Sequence, residues 1–170
     1  MKLALVAVLA LSATTVFGQK FGRVDLAAIV PNMPEYKEAV ANLEAYGMDL
    51  QNQLEQIQVE FNTRLADYEK SASTMTDSIR QLKEQELGQL QQRFQDFQQI
   101  AQQDMQRKEA EVMNPIYDKA NEAVTKVAVA GGYTAIFNTA GDQAASAGLA
   151  YFDPALLTDI TADVKSELGI

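Results

Sequence analysis

The sequence predicts an α+β fold, in which two long helices form an antiparallel coiled-coil hairpin attached to a small β body. Along residues 34–113, apolar residues recur in alternating steps of four and three, the pattern of helices that wrap around another helix. Short segments rich in aromatic and β-branched residues lie near both ends of the chain, as is typical of strands. We therefore predict a helical hairpin over residues 34–130, with its tip near residues 69–77, and a β body formed by residues 19–33 and 131–170.

The composition excludes several classes of function. The chain has 170 residues, the length of one domain. Its net charge is −9, so it offers no basic surface for nucleic acid. Histidine and cysteine are absent, which excludes disulfides, thiol nucleophiles and the usual zinc sites. The phosphate-binding loops GxxxxGK[ST] and GxGxxG are absent as well. We expect a protein that is not an enzyme and binds no cofactor.

Residues 1–18 have the pattern of a secretory signal peptide. Lys2 precedes an apolar run over residues 3–10, and Gly18 lies near the predicted cleavage site. A membrane anchor is the alternative interpretation, but Ser12 and Thr14 interrupt the run well short of the roughly 20 residues that a spanning helix needs. We predict export, cleavage and no stable membrane insertion of the mature chain.

The first strand and the first long helix follow the signal peptide. The segment KFGRVD, residues 20–25, predicts a short strand. Pro34 suits the first turn of a helix, and Gly47 occupies the one position of its apolar repeat that lacks a side chain. The repeat consists of Tyr36, Val40, Leu43, Leu50, Leu54, Ile57, Phe61 and Tyr68.

A second apolar repeat predicts the return helix. In the polar segment between the repeats, Thr74 and Asp77 resemble a helix-capping pair. A reversal here gives a hairpin, whereas the alternative is one unbroken helix of roughly 120 Å, because the segment contains neither glycine nor proline. The second repeat consists of Met75, Ile79, Leu82, Leu87, Leu90, Phe94, Phe97, Ala101, Met105 and Val112.

The last part of the chain completes the β body. Pro115 is expected to kink or restart the return helix, and the glycine pair at residues 131–132 to end it. The segments at residues 133–138 and 149–152, YTAIFN and LAYF, predict two strands. A final helix is predicted to begin at Asp153. Its apolar stripe consists of Leu157, Ile160, Val164 and Leu168.

The hairpin returns the chain to its starting point, so the first strand can meet the last two in one sheet. Three short strands bury little apolar surface, and a two-helix hairpin with a polar exterior is marginally stable. Association of several copies is the natural remedy.

Four aromatic residues of the helices have two interpretations. Phe61, Tyr68, Phe94 and Phe97 stand at the spacing of the apolar repeats. This position favours packing between the helices over contact with a ligand.

Four further apolar residues suggest contact with a partner more directly. Met48 and Val59 share the face opposite the first repeat, and Ile100 flanks the second. Single exposed apolar residues are ordinary in proteins. Methionines such as Met75 nevertheless provide an adaptable contact surface.

In order along the chain, KFGRVD, GGYTAIFN and DITADV, with the helices between them, resemble the Skp (OmpH-like) family of periplasmic chaperones for outer-membrane proteins. The resemblance covers essentially the whole mature chain. It implies a jellyfish-like homotrimer, in which strands of three subunits form a β-barrel and three helical hairpins surround a cavity. Unfolded outer-membrane proteins are then held in that cavity without ATP, which prevents their aggregation in the periplasm.

The resemblance also assigns roles to residues. The trimer body would contain the strand residues Val24, Ile136, Phe137, Tyr151 and Phe152, with Ile160 and Val164 anchoring the last helix. The spacing and the chemistry of the helical residues, rather than the resemblance, supply the candidates for contact with an unfolded client: Met48, Val59, Phe61, Tyr68, Met75, Phe94, Phe97 and Ile100.

The chain departs from the resemblance in its charge. The best-known members of the family are basic, whereas this chain is acidic and rich in glutamine over residues 89–103. We therefore expect client binding through apolar and amide contacts, with little dependence on salt. Two alternatives remain: a structural coiled-coil scaffold or spacer of the cell envelope, and a prefoldin-like cochaperone. The signal peptide argues against the second, because prefoldin is cytosolic.

Overall fold

A computed structural model describes residues 19–139, 153 and 155–170. The described chain is mostly helical, with a small parallel sheet. The signal peptide and the predicted strand at residues 149–152, with Tyr151 and Phe152, lie outside the described residues. The elements are β1 (Phe21–Val24), α1 (Pro34–Ser71), α2 (Asp77–Ala130), β2 (Ala135–Asn138), β3 (Thr158–Asp159) and α3 (Thr161–Leu168), with single 3-10 turns at Leu26–Ala28, Val30–Asn32 and Ala72–Thr74.

Side-chain contacts show that α1 and α2 run antiparallel. Near the start of α1, Lys119 Nζ donates a hydrogen bond to Glu35 Oε1. Near its end, Tyr68 Oη donates to Glu84 Oε1 at 2.6 Å. Residue numbers therefore rise along one helix as they fall along the other, which excludes the single unbroken helix. The left-handed supercoil and the trimeric barrel stay predictions.

The chain reverses direction over residues 72–76, between α1 and α2. Ser71 ends α1, and the N-cap of α2 is Thr76, whose hydroxyl accepts from the amide of Ile79 at 3.4 Å. The predicted capping by Thr74 is wrong, because its hydroxyl donates to the Ser71 carbonyl at 2.9 Å. Both residues bond to nearby backbone, which lets the chain turn without glycine or proline.

Pro115 does not restart the second helix, since α2 continues through it as one element. A proline inside a helix removes a backbone hydrogen bond and costs about 3 kcal/mol or more. Burial of Ile116, Ala120 and Ala123 immediately after it offsets this cost.

The sheet has the order β2-β1-β3, and both pairings are parallel. Parallel neighbours require a long crossover connection, and the α1–α2 pair is the crossover between β1 and β2. Gly22 lies at the centre of the sheet, opposite Ile136 and Thr158. A Cβ atom at Gly22 would lie 2.7 Å from Ile136 Cδ1 and 3.1 Å from the Thr158 carbonyl oxygen, so a side chain here would require its neighbours to move.

The core lies where the base of the helix pair meets the sheet. α2 extends past the start of α1, because Lys119 is already level with Glu35. The small side chains of Ala120 and Ala123 on this extension are buried and allow close packing. One core cluster consists of Val24, Ile29, Ala123, Ile160 and Val164, and the other of Val30, Met33, Ala39, Ile116 and Ala120.

The prediction of a final helix from Asp153 is wrong at its start. Thr158 and Asp159 form β3, and helix α3 begins only at Thr161. Long-range contacts with β1 prevent an earlier start: the Ile160 amide donates to the Arg23 carbonyl at 2.9 Å. Arg23 Nη2 also lies 2.7 Å from Asp159 Oδ2.

Acid should weaken this junction through Asp159. Hydrogen bonds from the hydroxyl and the amide of Thr161, with the charge of Arg23, lower the pKa of Asp159. Its stabilising effect is therefore present above the ordinary aspartate pKa of about 3.9 and is lost as the pH falls through the lower pKa of the folded state.

We expect Asp159→Asn to reduce stability at pH 7 and to make stability less dependent on pH between 7 and 3. Urea unfolding followed by circular dichroism at several pH values measures both effects. If the variant loses as much stability as the parent on acidification, Asp159 is not the group responsible.

Candidate functional site

The helix pair encloses a narrow line of buried apolar side chains. Leu50 and Ile57 on α1 and Leu90 and Ala101 on α2 are at most 9% exposed. These residues hold the helices together, so the surfaces that can bind a partner lie on either side of this line.

The residues proposed for partner contact differ in how accessible they are. Met48, Val59 and Ile100 are 65%, 56% and 51% exposed, and they do not belong to the buried line between the helices. The others are half-buried and combine packing with accessible surface: Phe61, Tyr68, Met75, Phe94 and Phe97.

A groove between the helices lies on one side of the buried line. Phe61 from α1 and Phe94 from α2 provide its aromatic surface, and the groove has a volume of about 320 Å³. Its remaining lining consists of four glutamines, Gln58, Gln91, Gln95 and Gln98. We call this the amide groove, and none of its six lining residues is charged.

Ion pairs occupy the other side of the buried line. Arg93 Nη1 lies 3.5 Å from Glu60 Oε2, and Arg64 Nη1 lies 3.5 Å from Glu86 Oε2, each bridging the two helices. Arg64 Nη2 also lies 2.7 Å from Glu60 Oε1. These groups are exposed to solvent, which screens their attraction, so the pairs add little to stability. They set the electrostatic character of this side rather than its stability.

A short repeated pattern explains why the two sides differ. Glu60 and Phe61 follow the buried Ile57 by three and four residues, which fall on opposite sides of it in a helix with 3.6 residues per turn. Arg93 and Phe94 follow the buried Leu90 in the same way. The segments IQVEF and LQQRF, residues 57–61 and 90–94, thus place charge on one side and phenylalanine with glutamine on the other.

Val59, Phe97 and Ile100 lie beside the ion pairs rather than in the amide groove. Val59 lines a shallow surface with Glu55 and Glu60. Phe97 and Ile100 line another with Arg93 and Asp96. Asn52 and Gln56 line the first surface as well, and Gln89 and Gln92 the second, so the apolar groups on this side have both charged and amide neighbours.

The tip of the helix pair has another groove, separate from the amide groove, which is lined by Tyr68, Met75 and Leu87 together with several charged residues. The hydrogen bond that Tyr68 donates to Glu84 raises the pKa of the tyrosine. A hydrogen bond from Lys83 lowers the pKa of Glu86 on the neighbouring turn. The polar groups at the tip are thus already paired with one another.

Residues predicted for the trimer body lie mainly in the core of a single chain. Val24, Ile160 and Val164 are at most 2% exposed and pack together. Ile136 packs against them, and the ring of Phe137 lies 6.3 Å from that of Phe21. Of this set, Ile136 and Phe137 are the described residues that keep part of their surface accessible.

The amide groove and the ion pairs were not predicted from the sequence. The apolar repeats identified Phe61 and Phe94, but glutamine was recognised only in the tract at residues 89–103. The pattern shared by residues 57–61 and 90–94 could have revealed the groove. In both segments a glutamine comes directly after the buried residue, and a phenylalanine comes three positions after that glutamine.

Membrane-spanning helices and metal clusters are both absent from the part of the chain that the structure describes. Within residues 19–139, 153 and 155–170, none of the helices is both long and apolar enough to span a membrane. In the same part of the chain, no group of three acidic side chains is placed to hold a metal ion.

Comparison with known proteins identifies the family. The model of the family described as outer membrane protein (OmpH-like) matches residues 20–168, from β1 to the end of α3. The chain belongs to the OmpH-like family. This confirms the resemblance seen in KFGRVD, GGYTAIFN and DITADV.

Two individual relatives are consistent with this family assignment. This OmpH-like protein is 28% identical to the chaperone protein Skp of Yersinia enterocolitica over 161 residues, which cover 94% of this chain and 93% of that one. Its structure is similar to a crystal structure from Caulobacter crescentus described as an OmpH-like outer membrane chaperone, with a TM-score of 0.71 and 14% identity. That match covers 89% of this chain and 84% of the other, and it shows a shared fold.

Two isoleucines of the helix pair, one buried and one exposed, allow the contribution of packing to stability to be tested. Ile57 is 4% exposed and Ile100 is 51% exposed. Ile57→Ala should lower the free energy of unfolding by about 2–5 kcal/mol because it leaves a cavity. Ile100→Ala should change it by at most about 0.5 kcal/mol.

Urea denaturation followed by circular dichroism measures both values. Equal losses for the two variants would contradict the assignment of Ile57 to the contact between the helices.

Proposed function

We propose that this OmpH-like protein is a periplasmic holdase, which binds unfolded outer-membrane β-barrel proteins without ATP and prevents their aggregation. Membership of the OmpH-like family and similarity to a chaperone named Skp support this proposal. The observation on which it chiefly rests is the helix pair, whose grooves keep apolar side chains open to solvent away from the core.

The physical basis of holding is burial of apolar surface. An unfolded chain that covers an exposed side chain removes apolar area from water, which contributes about 25 cal/mol per Å². Such contacts are non-directional and suit clients of many sequences. We propose client contact at Met48, Val59, Phe61, Tyr68, Met75, Phe94, Phe97 and Ile100.

We further propose a homotrimer, in which three β bodies associate and three helix pairs surround a cavity. Within the described residues, β2 and β3 each pair with β1 on one side only, and β3 has two residues. Short strands with unpaired edges are poorly stable alone and readily pair with another chain. Ile136 and Phe137 on β2 are the proposed contacts between subunits.

The proposed compartment is the periplasm, reached by means of a signal peptide at residues 1–18. The alternative function, a structural spacer of the envelope, required one long helix. The fold-back of α1 on α2 disfavours it.

The direct test is refolding of a bacterial outer-membrane β-barrel protein by dilution from urea, without ATP, followed by light scattering. We expect three copies of this protein per client to suppress scattering. A variant with serine at Met48, Val59 and Ile100 should suppress it less, because the apolar contacts are lost. The matched control has serine at Gln51, Gln99 and Gln103, which are exposed polar positions on the same helices.

No suppression by the unmodified protein would refute the proposed function. Equal activity of the two variants would refute only the assignment of the three apolar contacts.

Salt provides a separate test of how clients are bound. With a net charge of −9 and uncharged residues in the amide groove, binding should depend on apolar and amide contacts, which salt screens little. We expect the complex to persist when sodium chloride is raised to about 0.5 M, where the Debye length is only a few Å. Release of most of the client, measured by size-exclusion chromatography, would show that charge holds it.

A further inference from the structure

We infer that the amide groove is the subsite for an extended, uncharged segment of polypeptide, whose apolar side chains contact Phe61 and Phe94 while its backbone bonds to the glutamine amides. This inference rests on the proposed function and names the chemistry that one site on the helix pair selects. The charged side of the pair would take a lesser part in binding such segments.

The first argument is charge. The chain carries a net charge of −9, and the groove is lined by six uncharged residues. The opposite side exposes Glu55, Glu60, Arg93 and Asp96 around its apolar groups. A partner without charge can cover the groove without removing an ion from water, whereas covering the other side would carry a desolvation penalty. The groove is therefore complementary to a neutral segment.

The second argument is hydrogen bonding. A glutamine side chain offers two donors and one acceptor, as needed to bond to both N–H and C=O groups of a backbone. Among the described residues, the amides of Gln91, Gln95 and Gln98 form no hydrogen bond with the protein, whereas Gln58 donates to Asn62 at 3.2 Å. Three of the four lining amides are thus free to bond to a bound segment.

The third argument is spacing. Gln95 and Gln98 lie about 6 Å and about 10.5 Å along α2 from Gln91, at 1.5 Å per residue. In an extended chain, backbone groups that point to the same edge recur every second residue, about 6.6 Å apart. Gln95 therefore matches the repeat of an extended backbone measured from Gln91, whereas the flexible side chain of Gln98 has to cover a difference of about 2.7 Å to the second repeat.

The fourth argument is position. Phe61 and Phe94 come from different helices and are half-buried, so their exposed surfaces meet a ligand that lies between the helices. Aromatic side chains provide large apolar contact area at low entropic cost. A segment with alternating apolar residues, as in a membrane β-strand, presents one apolar row to the rings and its edge to the glutamines.

The test compares two charge variants of equal net charge. Gln95→Glu with Gln98→Glu places carboxylates in the groove, whereas Gln99→Glu with Gln103→Glu places them on exposed positions of the same helix. The probe is a neutral peptide of alternating valine and threonine with one tryptophan. Because this protein has no tryptophan, the peptide's fluorescence reports binding directly.

We expect the groove variant to bind the peptide about tenfold more weakly, since each carboxylate removes an amide donor. The control variant should bind like the unmodified protein. Circular dichroism and the mass in solution should be the same for all three proteins.

Three results would overturn the inference. Equal affinity of the two variants would remove the groove as the subsite. Displacement of the peptide by a soluble neutral oligosaccharide would assign the groove to sugars, and a changed mass of the groove variant would make it a contact between copies of this chain.

The inference and the proposed function can fail separately. If the unmodified protein suppresses aggregation but the groove variant keeps full peptide affinity, only the inference fails. If the unmodified protein does not suppress aggregation, the proposed function fails first.

Discussion

The parallel pairing of β1 with β2 is the constraint on which the rest of the structure depends. Two parallel neighbours cannot be joined by a tight turn, so the chain must leave the sheet at one end and re-enter it at the opposite end. α1 and α2 form this path, and the sheet closes only if they pack together along their length. The entropy of closing so long a connection is offset by the line of buried side chains that includes Ile57 and Leu90. The small β body and the long helix pair are therefore one cooperative unit.

The same dependence explains which parts of the fold could be predicted from sequence. The apolar repeats predicted α1 and α2 because a helix is specified by spacing within a few turns. β3 could not be predicted, since two residues have no pattern of their own. Hydrogen bonding to Arg23, more than 130 positions earlier, makes Thr158–Asp159 a strand. The continuity of α2 at Pro115 likewise depends on the burial of Ala120 in the core. Such a tertiary contact cannot be predicted from the residues next to the proline.

At the candidate site, sequence identified the groups but not their arrangement. Phe61, Phe94 and Phe97 share one spacing class, yet two of them line the amide groove and Phe97 lies beside the ion pairs. Which side of the buried line each phenylalanine occupies depends on its angular position around the helix relative to the buried residues, and this position is known only once the helices are packed. The acidic chain also uses two of its few cations, Arg64 and Arg93, in bridges across the helices. These bridges lie on the side opposite the amide groove, whose six lining residues are uncharged.

The shared pattern of residues 57–61 and 90–94 has one more consequence. Because α1 and α2 are antiparallel, two copies of one pattern are related by a local two-fold axis between the helices. Gln58 and Gln91, like Phe61 and Phe94, are approximate mates across this axis. Gln95 and Gln98 have no counterpart among the lining residues of α1. The central four side chains of the groove, but not its whole lining, therefore present nearly the same groups in both directions. Strands of a β-barrel alternate in direction. If the groove binds such strands as proposed, these four side chains would accept odd and even strands alike.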